Sequence, residues 1–212
     1  VKQITLLTKK IIGKGGETAV KRCWDLLRGK VMVRKNYDYN QFQREILEKL
    51  AANPIPGIVP ILGFRLKRTQ VYEEEYVGDL GAFLAKNLHL SFEKKIVLMK
   101  QLIQALSNFH AMSHPGLEYE ISSSSFPTGP FHLSHSDIKP GNIVVGQNGN
   151  ELQVAITDFG LINPLVGGMT YGYASPEMIE FSWNRSGKSS RDEQDVNFKL
   201  QNGQGGDTWA LG

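Results

Sequence analysis

A chain of 212 residues, 41% hydrophobic and 21% charged, is long enough to bury a sizeable core and reads as soluble and globular, one or two domains by length. A net charge of +3 with no concentrated Lys/Arg block is too small to argue for nucleic acid, and no apolar run approaches the ~20 residues that a membrane helix needs. Cys23 is the only cysteine, which excludes an intrachain disulfide and favours a reducing, cytoplasmic location. The chain opens at Val1 with neither an initiator Met nor a signal-peptide pattern, and so reads as part of something longer.

In chain order, the first third predicts strands around glycine turns. Ile4 to Leu7 and Lys10 to Ile12 lead into Gly13-Lys14-Gly15-Gly16, and Thr18 to Arg22 resumes an extended pattern. Val31 to Lys35 is a further strand after the turn at Arg28-Gly29-Lys30. Residues Gln41 to Ala52 place Phe42, Ile46, Leu47 and Leu50 at helical spacing, and Asn53-Pro54-Ile55-Pro56-Gly57 stops that helix. Apolar runs at Ile58 to Leu62 and Val71 to Val77 complete a small lobe of five strands and one helix, residues 1–77.

Beyond Gly78 the character changes, and residues 78–212 form the second unit. Ser91 caps a predicted long helix with Ile96, Met99, Ile103 and Leu106 in register; Met99 and Phe109 are expected in the core, and His110 as a packed or capping residue. His114 to Ser134 reads as a Ser/Pro/Gly-rich loop. Strands at Asn142 to Val145 and Leu152 to Thr157 form a hairpin through Gln147-Asn148-Gly149-Asn150, and Ser182 to Gly206 is expected to be a mobile polar loop. There is no internal repeat, and the histidines lack zinc spacing.

The chemistry concentrates in His135-Ser136-Asp137-Ile138-Lys139-Pro140-Gly141-Asn142 and, past the hairpin, Asp158-Phe159-Gly160. One segment supplies a carboxylate, a cation and an amide; the other supplies a second carboxylate on a glycine turn. That set is equipped to hold Mg-ATP and to aim a hydroxyl at the γ-phosphate. Asp137 is the candidate base, Lys139 the cation for charge developing on the phosphoryl group, and Asn142 and Asp158 the oxygen ligands for Mg²⁺. His135 reads as a packing and hydrogen-bonding residue of the loop.

These segments resemble the catalytic loop and magnesium-binding segment of eukaryotic-type protein kinases, with Ser136 where the family usually has Arg. The resemblance extends along essentially the whole chain. Gly13-x-Gly15-Gly16-x-x-x-Val20 is similar to the glycine-rich loop over the phosphates, with Thr18 in the place of the third glycine. Val31-Met32-Val33-Arg34-Lys35 aligns with the strand carrying the phosphate-pairing lysine in two registers; Lys35, with Val33 above the adenine, matches the family spacing from Val20, and Arg34 is the alternative. Glu45 is the matching helix carboxylate, with Glu48 one turn later as its substitute. The adenine-binding hinge falls near Glu75-Tyr76-Val77. Thr170 to Glu177 resembles the end of the activation segment, and Gly206 to Gly212 the start of the central large-lobe helix, where Asp207 would anchor the catalytic-loop backbone.

The resemblance implies an α+β, two-lobed protein-kinase-like fold: a small antiparallel sheet with one helix, then an incomplete, mainly helical large lobe. It implies ATP and Mg²⁺ as cofactors, protein substrates, and phosphate transfer to Ser/Thr, of which Lys139 and Thr170 are marks. It implies no nucleic-acid partner, and nothing sets the oligomeric state. Leu161 to Met169 contains no Ser, Thr or Tyr, and Ser136 carries no charge to receive a phosphate, so control by activation-loop phosphorylation is not expected. The resemblance stops as the central helix begins, which implies a longer kinase. Two other readings stand beside an active kinase: a pseudokinase binding module, and a small-molecule phosphotransferase of the aminoglycoside or choline type.

Overall fold

A computed structural model describes residues 11–15, 18–26, 29–36, 41–65, 70–114, 131–149, 151–159, 170–185 and 202–212. The expected strand at Ile4 to Leu7, Gly16, Gly160, the segment Leu161 to Met169 and most of the insert after His114 lie outside these residues.

The small lobe is an antiparallel sheet of β1 (Ile11–Gly15), β2 (Thr18–Asp25), β3 (Lys30–Asn36), β4 (Ile61–Arg65) and β5 (Gln70–Glu74), in the order β1-β2-β3-β5-β4. Side-chain alternation gives its two faces different characters. Cys23 pairs with Met32, and these two pack with Tyr72 and Leu62 as a small cluster on one face. On the other face Val33 lies opposite Glu73, and Lys35 opposite Val71. Helix α1 (Gln41–Ala52) keeps the bounds read from the sequence, and buries Ile46, Leu47 and Leu50. The burial follows from their i, i+1, i+4 spacing, which keeps them on one stripe.

The segment after α1 crosses to the second unit. Ile58 bridges Ile156 in parallel, the Ile156 amide donates to the Gly57 carbonyl at 2.8 Å, and the Val59 amide donates to the Ile156 carbonyl at 3.0 Å. Gly57 has φ +82°, and a Cβ there would sit 2.9 Å from the Ala105 Cα, so the turn requires glycine on both counts. Covalently the chain crosses at residues 75–77, where the Val77 amide donates to the Val145 carbonyl at 2.9 Å.

The second unit is built on α3 (Phe92–His110), capped by the Ser91 hydroxyl, which accepts from the Lys94 amide. Before it come the two-residue strand β6 (Gly78–Asp79) and helix α2 (Leu80–Lys86), capped by the Asp79 carboxylate. Both elements are too short to leave a periodic signal, and neither was anticipated. The pairs Ser113–His114 (β7) and Phe131–His132 (β8) form a two-stranded ladder. The predicted hairpin is β9 (Ile143–Asn148) against β10 (Glu151–Ile156), with Gly149 at φ 61° in its turn and β6 on the outer side of β9. Helix α4 (Pro176–Arg185) and a helix over residues 202–209 (α5) occupy both ends of the stretch expected as a polar loop. Among the residues of α4 whose burial is described, 176–181, Met178 is the buried one.

The face buried by α3 differs from the expected one. Leu98, Leu102, Ala105, Leu106 and Phe109 are buried, whereas Ile96, Met99 and Ile103 are 39–52% exposed. The helix carries two apolar stripes, and the one through Leu98 and Leu102 meets the core. No helix among the described residues is long and apolar enough to cross a membrane.

Candidate active site

The loop between β8 and β9 is held open by one carboxylate from far along the chain. Asp207, on α5 and 1% exposed, accepts from the His135 amide at 2.6 Å, the Ser136 amide at 2.7 Å and His110 Nε2 at 2.9 Å. Ser136 between these contacts has φ 65°, a left-handed conformation that a non-glycine residue adopts only when its surroundings impose it. Gln204, one turn earlier on α5, donates to the carbonyls of His110 and Leu133, which docks the helix beside the loop. His110 is therefore a partner of Asp207 at the end of α3.

The backbone so fixed presents Asp137. Its Oδ1 accepts from the Thr170 hydroxyl at 2.7 Å; its Oδ2 accepts from Lys139 Nζ at 2.7 Å and from Asn142 Nδ2 at 2.8 Å. Lys139 Nζ also donates to Thr170 Oγ1 at 2.9 Å, closing a triangle of carboxylate, ammonium and hydroxyl. Asn142 Nδ2 donates in addition to the Asp137 carbonyl at 2.8 Å. With both amide hydrogens directed at Asp137, the Asn142 oxygen faces away from it, the orientation a cation ligand requires.

Asp158 follows at the end of β10 with φ 70°. The preceding residue, Thr157, donates its amide to the Asn142 carbonyl at 2.9 Å, and its own carbonyl accepts from His135 Nε2 at 3.0 Å. These two bonds tie the Asp158 backbone to the loop that carries Asp137 and Asn142. Behind them, Phe159 is 2% exposed, 5.4 Å in centroid distance from the His135 ring and 5.7 Å from Phe109. His135, wholly buried, is a packing and hydrogen-bonding residue.

From the small lobe, Lys35 reaches the same place. Its amine donates to Thr157 Oγ1 at 2.5 Å and pairs with Glu73 Oε2 at 2.9 Å, and the Thr157 hydroxyl donates to Glu73 Oε2 at 2.9 Å. Of the two strand residues, it is Lys35 whose side chain reaches Thr157, the residue before Asp158; Arg34 is on the opposite face with Met32 and Tyr72, 9% exposed. Val20 and Val33 are partly buried and buried, respectively. Glu45 lies half-buried on α1, and Glu48 pairs instead with Arg44 at 2.9 Å. Gly13 and Gly15 belong to β1, opposite Val20 and Thr18.

At the hinge, Glu75 pairs with Arg22 of β2 at 2.5 Å. Val77 has its side chain 74% exposed, and its amide is engaged with Val145. Tyr76 packs over Gly146, where a Cβ would come within 3.0 Å of the ring. Burial first, then the Glu74 and Glu73 charges, push the Tyr76 phenol up to about 12. A concavity of about 30 Å³ lies at Asp137, lined also by Thr170, Tyr173, Ser175, Met178 and Gly206.

Sequence reasoning missed Glu73 and the contacts of Thr157. Glu73 is one of three consecutive glutamates, and only the strand register tells which of them points inward.

A family model described as protein kinase domain matches residues 6–197. The serine/threonine-protein kinase RAD53 of Saccharomyces cerevisiae is 27% identical across 80% of this chain, and the liver/testis phosphorylase b kinase gamma catalytic chain of Mus musculus 25% identical across 96%. The chain spans 20% of the length of the first and 48% of the second. The crystal structure of Rad53 1-466 in complex with AMP-PNP superposes with a TM-score of 0.64 at 22% identity, over 96% of this chain and 45% of that one, a likeness of fold. The match over residues 6–197 agrees with the site geometry and the two-lobed architecture, and the chain belongs to the protein kinase family.

Proposed function

We propose that this chain is the catalytic part of a protein kinase that transfers the γ-phosphate of ATP to Ser/Thr hydroxyls of protein substrates. The observation that carries the reading is the triangle at Asp137. Lys139 and Thr170 hold its carboxylate by two short bonds, and Asn142 adds a third. A base in this reaction orients the attacking hydroxyl and takes up its proton, so a carboxylate fixed on both oxygens suits the task. Lys139, already at the carboxylate, is placed to neutralise charge on the transferred group.

The residues present fit a divalent cation. Asn142 turns a neutral oxygen away from Asp137, and Asp158 offers an anionic one, a donor set suited to Mg²⁺. Held by Asn142 and Asp158, Mg²⁺ would supply positive charge against the nucleotide phosphates. Lys35 would meet the nucleotide phosphates from the small lobe, with the Gly13 to Gly16 loop above them and Val20 and Val33 against the adenine. The adenine edge would bond backbone groups at Glu75 and Tyr76, since the Val77 amide is engaged with Val145 and the Glu74 amide with Pro60.

Regulation follows from Ser136. Its hydroxyl lies 3.1 Å from that of Ser134, its amide serves Asp207, and it carries no charge to receive a loop phosphate. The kinase is competent without activation-loop phosphorylation, or is regulated by other segments or partners.

The test is phosphate transfer by the full-length protein with Mg-ATP and a generic protein substrate, beside Asp137→Ala and Asp158→Ala. Loss of transfer in Asp137→Ala with nucleotide binding kept, and loss of Mg-dependent binding or turnover in Asp158→Ala, are the expected results. Nucleotide binding without transfer by the wild type would mark a pseudokinase, and transfer to small alcohols alone a small-molecule phosphotransferase.

A further inference from the structure

The contacts of Lys35 reach beyond the expected phosphate lysine. Glu73 is a carboxylate on β5, its side chain 3% exposed, and Lys35 is itself only 12% exposed. Removing two charges from water costs several kcal/mol per ion, and is tolerated where geometry is good and further hydrogen bonds complete the pair. Here the conditions are met at one oxygen: Glu73 Oε2 accepts from the ammonium and from the Thr157 hydroxyl, both at 2.9 Å, and the ammonium also donates to that hydroxyl. The cluster unites three elements: β3, β5, and the residue that joins β10 to Asp158.

The way Glu73 is mounted gives the cluster its use. β3 and β5 are hydrogen-bonded neighbours, with Lys35 opposite Val71 and Glu73 one same-face step farther along β5. Side chains at such diagonal positions are ~7–8 Å apart at the backbone and within reach of long side chains. The separation of Lys35 from Glu73 is therefore set by the sheet ladder and not by the placement of a helix. A lysine stem is rich in rotamers, and a fixed counter-charge removes that freedom before any ligand arrives.

We propose that Glu73 is a positioning residue for Lys35, holding its ammonium from within the sheet, at Thr157 and beside Asp158, where the nucleotide phosphates enter. The proposal rests on the reading that Lys35 meets those phosphates. Glu73 acts in addition to whatever α1 contributes through Glu45. It acts through Lys35, and has no contact with the nucleotide of its own.

Titration calorimetry of the full-length protein with Mg²⁺ and AMP-PNP tests this in a double-mutant cycle of Glu73→Met and Lys35→Met, with Glu73→Gln as the conservative variant. Glu73→Met, close in volume but unable to accept a hydrogen bond, is expected to weaken binding by ~10-fold. Glu73→Gln, which keeps an acceptor for the ammonium and the hydroxyl, is expected to lose only ~3-fold. In the Lys35→Met background, Glu73→Met is expected to add less than ~2-fold, since there is no ammonium left to hold. Wild-type affinity in Glu73→Met overturns the proposal, as does an equal loss in both backgrounds. Wild-type affinity in Lys35→Met overturns the reading of the site itself, and Glu73 with it. If Glu73→Met does not fold, Glu73→Gln decides through steady-state kinetics: KM for ATP rising with kcat held supports the proposal, and an unchanged KM refutes it.

Discussion

Replacing Asp207 by Ala is expected to disable the site without touching a group that meets substrate. The carboxylate accepts two backbone amides of the catalytic loop, at 2.6 and 2.7 Å, and is 1% exposed. Hydrogen bonds to a charged group contribute ~1.5–3 kcal/mol each, so the two together come to ~3–6 kcal/mol. The left-handed Ser136 subtracts from this, because a non-glycine residue there costs ~1–2 kcal/mol that the Asp207 bonds offset and that a relaxed loop recovers. Without the carboxylate the cheapest response is for residues 135–136 to leave that conformation, which swings Asp137 away from Lys139 and Thr170. A stability loss toward the low end of the range is expected, since the loop can relax, together with loss of most phosphate transfer. Urea unfolding measures the first, and transfer to a generic protein substrate the second. Asp207→Asn keeps one acceptor but opposes an amide N–H with an NH₂ group, and is expected to fall between the two. An Asp207→Ala protein with wild-type stability and activity would refute the assignment of loop geometry to this residue.

Three further outcomes follow from the same structure. Gly57→Ala places a side chain against the backbone of Ala105 at φ +82°; left-handed strain and overpacking together predict a loss of ~2–4 kcal/mol, read from the urea midpoint, and a shift below ~0.5 kcal/mol would contradict it. Thr170→Val removes a donor to Asp137 and an acceptor for Lys139, so kcat is expected to drop ~10-fold or more with restoration by Thr170→Ser, as one hydrogen bond at a charged group is involved. Tyr76 is a neutral phenol whose pKa rises from 10.0 to about 12 in the fold, so the stability it contributes is whole below pH 10 and lost as pH climbs through 12. Alkaline unfolding of Tyr76→Phe should accordingly lack that part of the pH dependence, and identical curves for the two proteins would rule out the shift.

How far the sequence speaks can be judged residue by residue. Helix α1 was legible to its ends because its apolar stripe, its proline stop and its length agree. Asp137, Lys139, Asn142 and Asp158 were legible because a short loop must carry them at fixed spacing whatever surrounds it. The stripe of α3 was legible only in part: Leu106 and Phe109 are buried as expected, but Ile96, Met99 and Ile103 are as periodic as Leu98 and Leu102, and only the packed core chooses between them. Glu73 was hidden for a related reason. In Glu73-Glu74-Glu75 the inward residue depends on strand pairing with β3, which is a property of the sheet rather than of the run. Helix α2 buries no residue, so no pattern shows.

The crossing at residues 57–59 gives the two halves a second attachment beside the covalent one near residue 77. A body fixed to another at one point can swing and twist; each further attachment removes some of that freedom, and here the bonds of Lys35 and Glu73 to Thr157 add to the two crossings. Sideways slip of the sheet, which would carry Lys35 off Thr157, would first have to break the bonds at Ile156. Because those bonds fall one residue before Thr157, the anchor lies beside the chemistry, where it limits displacement of one half against the other the most.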